Sequence, residues 1–299
     1  MISLPKEQNF LAIPEPERCD YQHSEFVIQQ VPYEHTSSYL AGSAMGPGAI
    51  IDASHFVEFY DEMLDMESYK KCGIATLPPM NFDTRVDADA IALIETETDI
   101  HLGNNKYVIS LGAEHTVSFG FVKSFRKKYA DLHVLQLDAH SDLRQSYHDN
   151  IYSHASVMAR VHEHGVPITQ IGIRAQCIEE SDLIKSSDNI HTFYAHQIRQ
   201  DQNWMDKAIQ TLGQNIYLTI DADGFDPSVM PCVGTAEPNG LYWDETIRFL
   251  EKVFAERNVV GFDIVEIAPQ EGQILTQYNC AKLLYRLIGF QVRKTNTKL

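Results

Sequence analysis

The chain has 299 residues, of which 44% are hydrophobic and 22% charged, so it can bury a full core as an ordinary globular protein does. Its formal net charge of −17 argues against binding to a phosphate backbone, which needs clustered Lys and Arg, and suits a cationic ligand better. The cysteines are odd in number and form no CxxC pair, the first residues lack a signal peptide's apolar core, and no apolar run approaches membrane-spanning length. We therefore expect a cytoplasmic protein that binds neither nucleic acid nor membrane.

Along the chain, short apolar runs alternate with longer helical patterns. A polar, proline-containing opening at 1–21 is interpreted as an N-terminal extension. The apolar runs predict strands at 25–31, 73–77, 106–111, 132–137, 168–173, 190–194, 215–220 and 259–267. The longer patterns predict helices at 48–60, 87–102, 116–129, 154–164, 203–212, 243–256 and 273–292. Such alternation predicts an α/β fold with a mostly parallel sheet covered on both faces, and the lack of a long linker predicts a single domain over 1–299.

Metal-binding side chains follow three of the predicted strands. The strand at 132–137 is followed by DAHSD, in which every second residue is an acid, a histidine and again an acid. The strand at 215–220 is followed by DADGFDP, and the strand at 106–111 by GAEH. Together the three segments offer His115, Asp138, His140, Asp142, Asp221 and Asp223. Because ligands of a parallel α/β sheet bind beyond the carboxyl ends of its strands, we expect these six side chains to converge.

Each of these residues has an ordinary interpretation when it is taken alone. An Asp after a strand is often a turn former or helix cap, and a lone His at a helix start more often packs or caps than binds metal. Four buried carboxylates together would repel one another unless cations neutralise them, and two divalent ions match their charge. Mixed carboxylate and imidazole ligands suit Mn²⁺, with Fe, Co, Ni or Zn as alternatives. The sequence therefore predicts a two-metal hydrolase that activates water.

A resemblance to a known family sharpens this prediction. The segments GAEHT, LDAHSD, YSH, TIDADGFDP and FDIVEIAP occur in the order found in the ureohydrolases (arginases, agmatinases and relatives), and the chain resembles that family from about Gly46 to its C-terminus. The resemblance implies a three-layer αβα, arginase-like fold, two Mn²⁺ ions per subunit, and a homo-oligomer (a trimer or hexamer). The metal ligands that it implies are Asp138 and Asp221 bridging both ions, His115 and Asp142 on one ion, and His140 and Asp223 on the other.

The resemblance also implies three catalytic residues for the hydrolysis of a guanidino compound to urea and an amine. Asp142 orients the attacking water and passes a proton to the leaving amine, His154 in YSH exchanges protons with solvent, and Glu266 in FDIVEIAP holds the guanidinium. An acid inside an apolar strand, as Glu266 is predicted to be, needs a cationic partner because burying an unpaired charge is costly. His154 on its own would be interpreted as a surface His at a helix start.

Agmatine is the leading substrate, which would give putrescine and place the enzyme in polyamine biosynthesis. The segment DLRQSYHDNIYSH resembles agmatinases and lacks the Asn with which arginases contact the amino-acid end, although Arg144 could pair with a carboxylate. Aminopropylagmatine, guanidinobutyrate, arginine and formiminoglutamate stay open as alternatives. So do a one-zinc deacetylase relative and a non-catalytic regulatory paralogue.

The chain departs from the family pattern in a few places. Ala113 and Glu114 replace the usual Gly and Asp before the metal-binding His, and Ala236 stands where Pro is usual. The region 32–49 matches the family only loosely. Cys232, beside the second metal segment, is interpreted as a packed thiol rather than a reactive one.

Overall fold

The computed structural model describes residues 2–297, and its strands form one eight-stranded sheet in which every pair is parallel. The strands are β1 Phe26–Val31, β2 Ile74–Thr76, β3 Tyr107–Gly112, β4 Leu132–Leu137, β5 Ile168–Ile173, β6 Ile190–Tyr194, β7 Asn215–Asp221 and β8 Asn258–Val265. Their order across the sheet is β2-β1-β3-β8-β7-β4-β5-β6. All eight predicted strands are present. Their union in one sheet supports the single domain over 1–299, which stays a prediction.

Helices cover both faces of the sheet. They are α1 Gly46–Ser54, α2 Tyr69–Cys72, α3 Asp87–Gly103, α4 Ser118–Lys128, α5 Val157–Glu163, α6 Ile178–Ser186, α7 Ala195–Ile198, α8 Trp204–Thr211, α9 Trp243–Glu256 and α10 Leu275–Thr297. Helices α1, α8, α9 and α10 share one core with Ile109 and Leu218, whereas α3, α4 and α5 share another with Val108 and Tyr217. Successive strand residues thus enter opposite cores, as side-chain alternation requires. The predicted three-layer αβα fold is confirmed. None of the helices within residues 2–297 is both long and apolar enough to cross a bilayer.

Helix α1 differs from the helix predicted at 48–60, and that prediction is wrong over its last six residues. Pro47 occupies the first turn, where its missing N–H costs nothing. At the other end the buried Ser54 hydroxyl donates to the carbonyl of Ile51 (2.6 Å) and accepts the backbone N–H of Leu11 (2.7 Å). The helix ends here because Ser54 ties it to the N-terminal segment, a contact that no local pattern reveals.

Helix α6 was not predicted, and neither were the four-residue helices α2 and α7. The start of α6 is capped by Glu180, whose carboxylate accepts the backbone N–H of Cys177 (2.6 Å). Cysteine stands where Ser or Thr usually marks such a cap, so the sequence signal is weak. The buried Glu180 also accepts the N–H of Leu143 (2.9 Å), so it joins α6 to the residue that follows Asp142.

The segment predicted as an N-terminal extension packs along the edge strand β2. Phe10 and Ile13 are fully buried in the core. The N–H of Leu4 donates to the carbonyl of Thr76 (2.8 Å), and the amide of the buried Asn9 accepts the N–H of Thr76 (2.9 Å) while donating to the carbonyl of Ile74 (3.4 Å). The Asn9 side chain therefore pairs with β2 much as another strand would.

The central strands bring two of the predicted metal-binding segments into contact through Gly224. A Cβ at this position would lie 2.7 Å from the backbone nitrogen of Asp138 and 2.9 Å from its Cα. Both atoms belong to the main chain and cannot move aside cheaply. Glycine is therefore required for the loop after β7 to lie against the end of β4.

We predict that Gly224→Ala will force these two segments apart. The free energy of unfolding should fall by about 1–3 kcal/mol, as is usual for overpacking, and divalent-metal affinity should fall with it. Chemical denaturation and metal titration would measure both. Gly48→Ala is the matched control, because Gly48 lies in α1 with no atom within 4 Å of its would-be Cβ. Equal unfolding free energies for the two variants would contradict the prediction.

Candidate metal centre and active site

The six predicted metal-binding side chains come together at the carboxyl ends of β3, β4 and β7. Two groups have ligand atoms that all lie within 4.8 Å of one another, and Asp138 belongs to both. One group contains His115, Asp138 and Asp142, and the other contains Asp138, His140 and Asp223. The sixth residue, Asp221, places its Oδ2 3.3 Å from Nδ1 of His115. The predicted convergence is thus observed, with a shared carboxylate between two neighbouring groups.

Each histidine directs Nδ1 at carboxylate oxygens. His115 Nδ1 lies 3.0 Å from Oδ2 of both Asp138 and Asp142. His140 Nδ1 lies 3.0 Å from Oδ2 of Asp223 and 3.7 Å from Oδ1 of Asp138. Although His115 Nδ1 is buried among three carboxylates, none of them forms a well-oriented hydrogen bond with it. A nitrogen lone pair and oxygen lone pairs that face a common point fit a cation better than they fit one another.

A chain of hydrogen bonds holds the His115 ring in the state that a metal ligand needs. His115 Nε2 lies 2.9 Å from the Thr219 hydroxyl, which donates to Oδ1 of Asp263 (2.6 Å). The other oxygen of Asp263 accepts the hydroxyl of Tyr217 (2.7 Å). Because the Thr219 hydrogen is directed to Asp263, its oxygen accepts Nε2–H from His115. This arrangement leaves His115 Nδ1 unprotonated and available to a cation.

The carboxylates are too close and too buried to be charged together without a counterion. Burial, with the charge of Asp138 added, raises the pKa of Asp142 to about 7. Burial and the charges of Asp223 and Asp138 raise the pKa of Asp221 well above its usual range. The imidazoles of His115 and His140, which lie against Asp138, hold the pKa of that carboxyl low despite its burial. Divalent cations bound between the carboxylates would remove the repulsion by neutralising their negative charges.

A cavity of about 180 Å³ opens onto this cluster and brings the three predicted catalytic residues together. Asp142, His154 and Glu266 all line it. Residues 37–40 form part of the same wall, and the Tyr39 side chain there is 79% exposed, so the cavity meets solvent on that side. A small molecule that entered here would meet both the metal-binding groups and the three catalytic candidates.

Two of the catalytic candidates have a left-handed backbone. Asp142 has φ 53° and Glu266 has φ 63°, which costs a residue other than glycine of order 1–2 kcal/mol. Such residues concentrate at functional sites, where the surrounding structure holds them. The prediction that Glu266 lies inside a strand spanning 259–267 is wrong, because β8 ends at Val265 and the chain turns at Glu266. The Glu266 carboxylate accepts the backbone N–H of His115 (2.6 Å).

Arg174 contributes to the site although no motif marked it. Its guanidinium donates to five backbone carbonyls, those of Gly172 (3.1 Å), Asp223 (2.7 Å), Gly224 (3.1 Å), Phe225 (3.2 Å) and Glu237 (2.9 Å). Three of these belong to the predicted metal-binding segment after β7. Arg174 therefore fixes that segment from behind, through the main chain, which explains why sequence reasoning missed it.

The structure also shows the surroundings of Arg144 and Cys232, whose roles the sequence left open. Arg144 lines the cavity, and its guanidinium carbon lies 5.7 Å from the centre of the Tyr147 ring. Cys232 is 1% exposed, and its backbone N–H donates to the Thr276 hydroxyl (2.8 Å). The interpretation of Cys232 as a packed thiol agrees with this burial.

Comparisons with known proteins place this chain in a family. A model of the arginase family matches residues 24–289 of the sequence. The chain belongs to the arginase family. The N(1)-aminopropylagmatine ureohydrolase of Synechocystis sp. is similar to this arginase-family chain, with 37% identity over 285 residues that cover 93% of each protein. The agmatinase of Pyrococcus horikoshii is 31% identical over 277 residues, which cover 92% of this chain and 94% of the relative.

A solved structure supports the same assignment to the arginase family. The agmatine ureohydrolase of Thermoplasma volcanium has a TM-score of 0.84 against this chain at 28% identity, and the match covers 100% of this chain and 97% of that one. The arginase-like fold and the membership of the ureohydrolases that the sequence predicted are confirmed, and with them the prediction of a hydrolase.

We predict that divalent metal will stabilise this arginase-family chain markedly. Because only the folded state gathers these side chains into one site, Mn²⁺ at one hundred times its Kd should add about 2.7 kcal/mol to the free energy of unfolding by mass action. Thermal unfolding with Mn²⁺ and with a chelator would measure the shift. Asp223→Asn should reduce the shift, whereas Asp149→Asn at an exposed site should keep it. An unchanged melting temperature on chelation would contradict the prediction.

Proposed function

We propose that this chain is a two-metal ureohydrolase that cleaves a guanidinoalkylamine into urea and an amine. The observation that carries the proposal is the meeting, at one cavity, of six metal-binding side chains with the carboxylate of Glu266. Carboxylates in excess of the histidines leave a negative cavity that suits a guanidinium cation. The family assignment and the names of the relatives support the reaction class.

Manganese is the proposed metal, with two ions per subunit. Asp138 and Asp221 would bridge both ions, His115 and Asp142 would complete one site, and His140 and Asp223 the other. The place of Asp138 in both groups supports its bridging role. Mixed oxygen and imidazole donors favour Mn²⁺ over Ca²⁺ or Mg²⁺. Bound together, two such ions supply a water acidic enough to attack at neutral pH.

Three side chains would then guide the substrate and its protons. Glu266 has one oxygen bonded to the N–H of His115, and its Oε2 is left for the guanidinium. The lack of a side chain at Gly234 keeps the space beside that oxygen open, since a Cβ there would lie 3.9 Å from it. Asp142 would orient the attacking water and carry its proton to the leaving amine. His154 would return protons from solvent.

The relatives favour a longer substrate than the one favoured by the sequence analysis. Agmatine led that analysis, whereas a relative named for N(1)-aminopropylagmatine is 37% identical and one named agmatinase 31% identical. We propose N(1)-aminopropylagmatine first and agmatine second. Both would place the same guanidinobutyl group in the cavity, and the longer tail would extend toward the exposed residues 38–40. The predicted homo-oligomer (a trimer or hexamer), the cytoplasmic location and the role in polyamine biosynthesis stay predictions.

We predict that kcat/KM for both amines will exceed that for arginine by at least about a hundredfold. Arginine adds a carboxylate, and burying it without donors costs about 3 kcal/mol, which corresponds to that factor. Urea release from N(1)-aminopropylagmatine, agmatine, guanidinobutyrate and arginine with Mn²⁺ would measure the ratios. Arginine turnover equal to that of the amines would contradict the prediction. Loss of that arginine turnover in Arg144→Ala would then identify the carboxylate partner. Release of urea from none of these compounds would support the non-catalytic alternative.

We predict that substitutions at Asp142, His154 and Glu266 will change kcat and KM in different ways. Asp142→Asn should lower kcat by about a hundredfold or more, because it removes both a metal ligand and a proton carrier. His154→Ala should be milder and should recover with imidazole buffer, since a buffer can replace a proton shuttle. Glu266→Gln should chiefly raise KM for the guanidinium. The exposed Glu271→Gln is its matched control. Small and equal losses of activity in all three variants would refute the assigned roles.

The two-metal site has a test of its own. A metal content of one ion per chain at saturation would refute it.

A further inference from the structure

The imidazole of His154 is held from two sides by residues outside the metal-binding segments. Thr36 Oγ1 lies 3.0 Å from His154 Nδ1, and the same oxygen accepts the backbone N–H of His154 (3.1 Å). The ring of Tyr147 packs against the imidazole nearly edge to face, with centroids 5.5 Å apart and planes at 72°. One side chain therefore contacts both the main chain and the ring of His154.

Thr36 is itself fixed by the residue that precedes the metal-binding His115. The fully buried carboxylate of Glu114 accepts the N–H of Thr36 (2.6 Å) and that of His35 (3.0 Å). Glu114 is a departure from the family pattern, in which the shorter Asp is usual. Its additional methylene extends the carboxylate toward the loop that carries Thr36.

A second carboxylate closes the same loop, residues 34–44. Glu34 accepts the hydroxyl of Ser37 (2.9 Å) and the backbone N–H groups of Gly42 (2.7 Å) and Ala44 (3.0 Å). Charged acceptors make hydrogen bonds about twice as strong as neutral ones. Thr36 therefore stands on a loop that is tied at both ends, so its hydroxyl can hold a partner in one place.

The geometry points to Thr36 as a positioning residue for His154, an inference that rests on the proposed proton transfer by His154. A hydroxyl oxygen has two lone pairs, so Thr36 can accept both the backbone N–H and Nδ1–H of His154. Nδ1–H then stays bonded in both charge states of the ring. The other nitrogen, Nε2, is the one left to take up and release protons in the cavity.

The test compares variants of the full-length, Mn²⁺-loaded protein. Thr36→Val keeps the shape but removes the hydroxyl, so kcat should fall about tenfold as proton transfer loses its orientation, with KM nearly unchanged. Imidazole buffer should restore most of the loss, and Thr36→Ser should retain parental kcat. Thr96→Val, on the exposed side of α3, is the matched control for the same substitution.

A double-mutant cycle with His154→Ala decides whether Thr36 acts through His154. If it does, Thr36→Val should have little further effect once His154 is absent. An undiminished effect in that background, or parental kcat in Thr36→Val beside an impaired His154→Ala, would overturn the inference and leave the proposed function intact. Parental kcat in His154→Ala would instead overturn the proton-transfer role, and the positioning role with it.

Discussion

The repulsion among buried aspartates at the carboxyl edge of the sheet is the constraint on which this structure depends. Four of these buried aspartates surround two histidines beside the cavity, and burial raises the pKa of Asp142 to about 7. A fold that keeps such groups together without cations gives up stability. This fold holds the aspartates so that they cannot move apart. The same rigidity would keep their oxygens in place for metal ions.

Main-chain contacts behind the site supply that rigidity. Gly224 lets two of the candidate metal-binding segments touch, and Arg174 binds the carbonyls of one of them. The hydrogen bonds from His115 through Thr219 to Asp263 fix a ring nitrogen toward the acids. Each contact acts on the backbone or on the far side of a ligand. The atoms that face the cavity are thus left free for ions and substrate.

The sequence was sufficient to predict the sheet and the meeting of the six candidate metal ligands, because both follow from the local order of residues along the chain. Apolar runs predicted all eight strands, and the acids that follow them were predicted to meet where parallel strands end. The parts that it missed depend on contacts between distant residues. Thr36 meets His154 across 118 positions, and Ser54 ends α1 by bonding to Leu11. The turn at Glu266 was missed for a related reason, since its left-handed backbone is imposed by its surroundings.

The amide of Asn9 has a consequence for how this molecule meets its neighbours. Parallel sheets leave unpaired N–H and carbonyl groups on their outermost strands, where another chain can add itself. In β2 the groups of Ile74 and Thr76 are already taken by one side chain and by the main chain at Leu4. The opening segment thus blocks the addition of a further strand at this edge of the sheet. Two molecules that meet at this edge find those backbone groups of β2 already paired, so edge-to-edge association is disfavoured there.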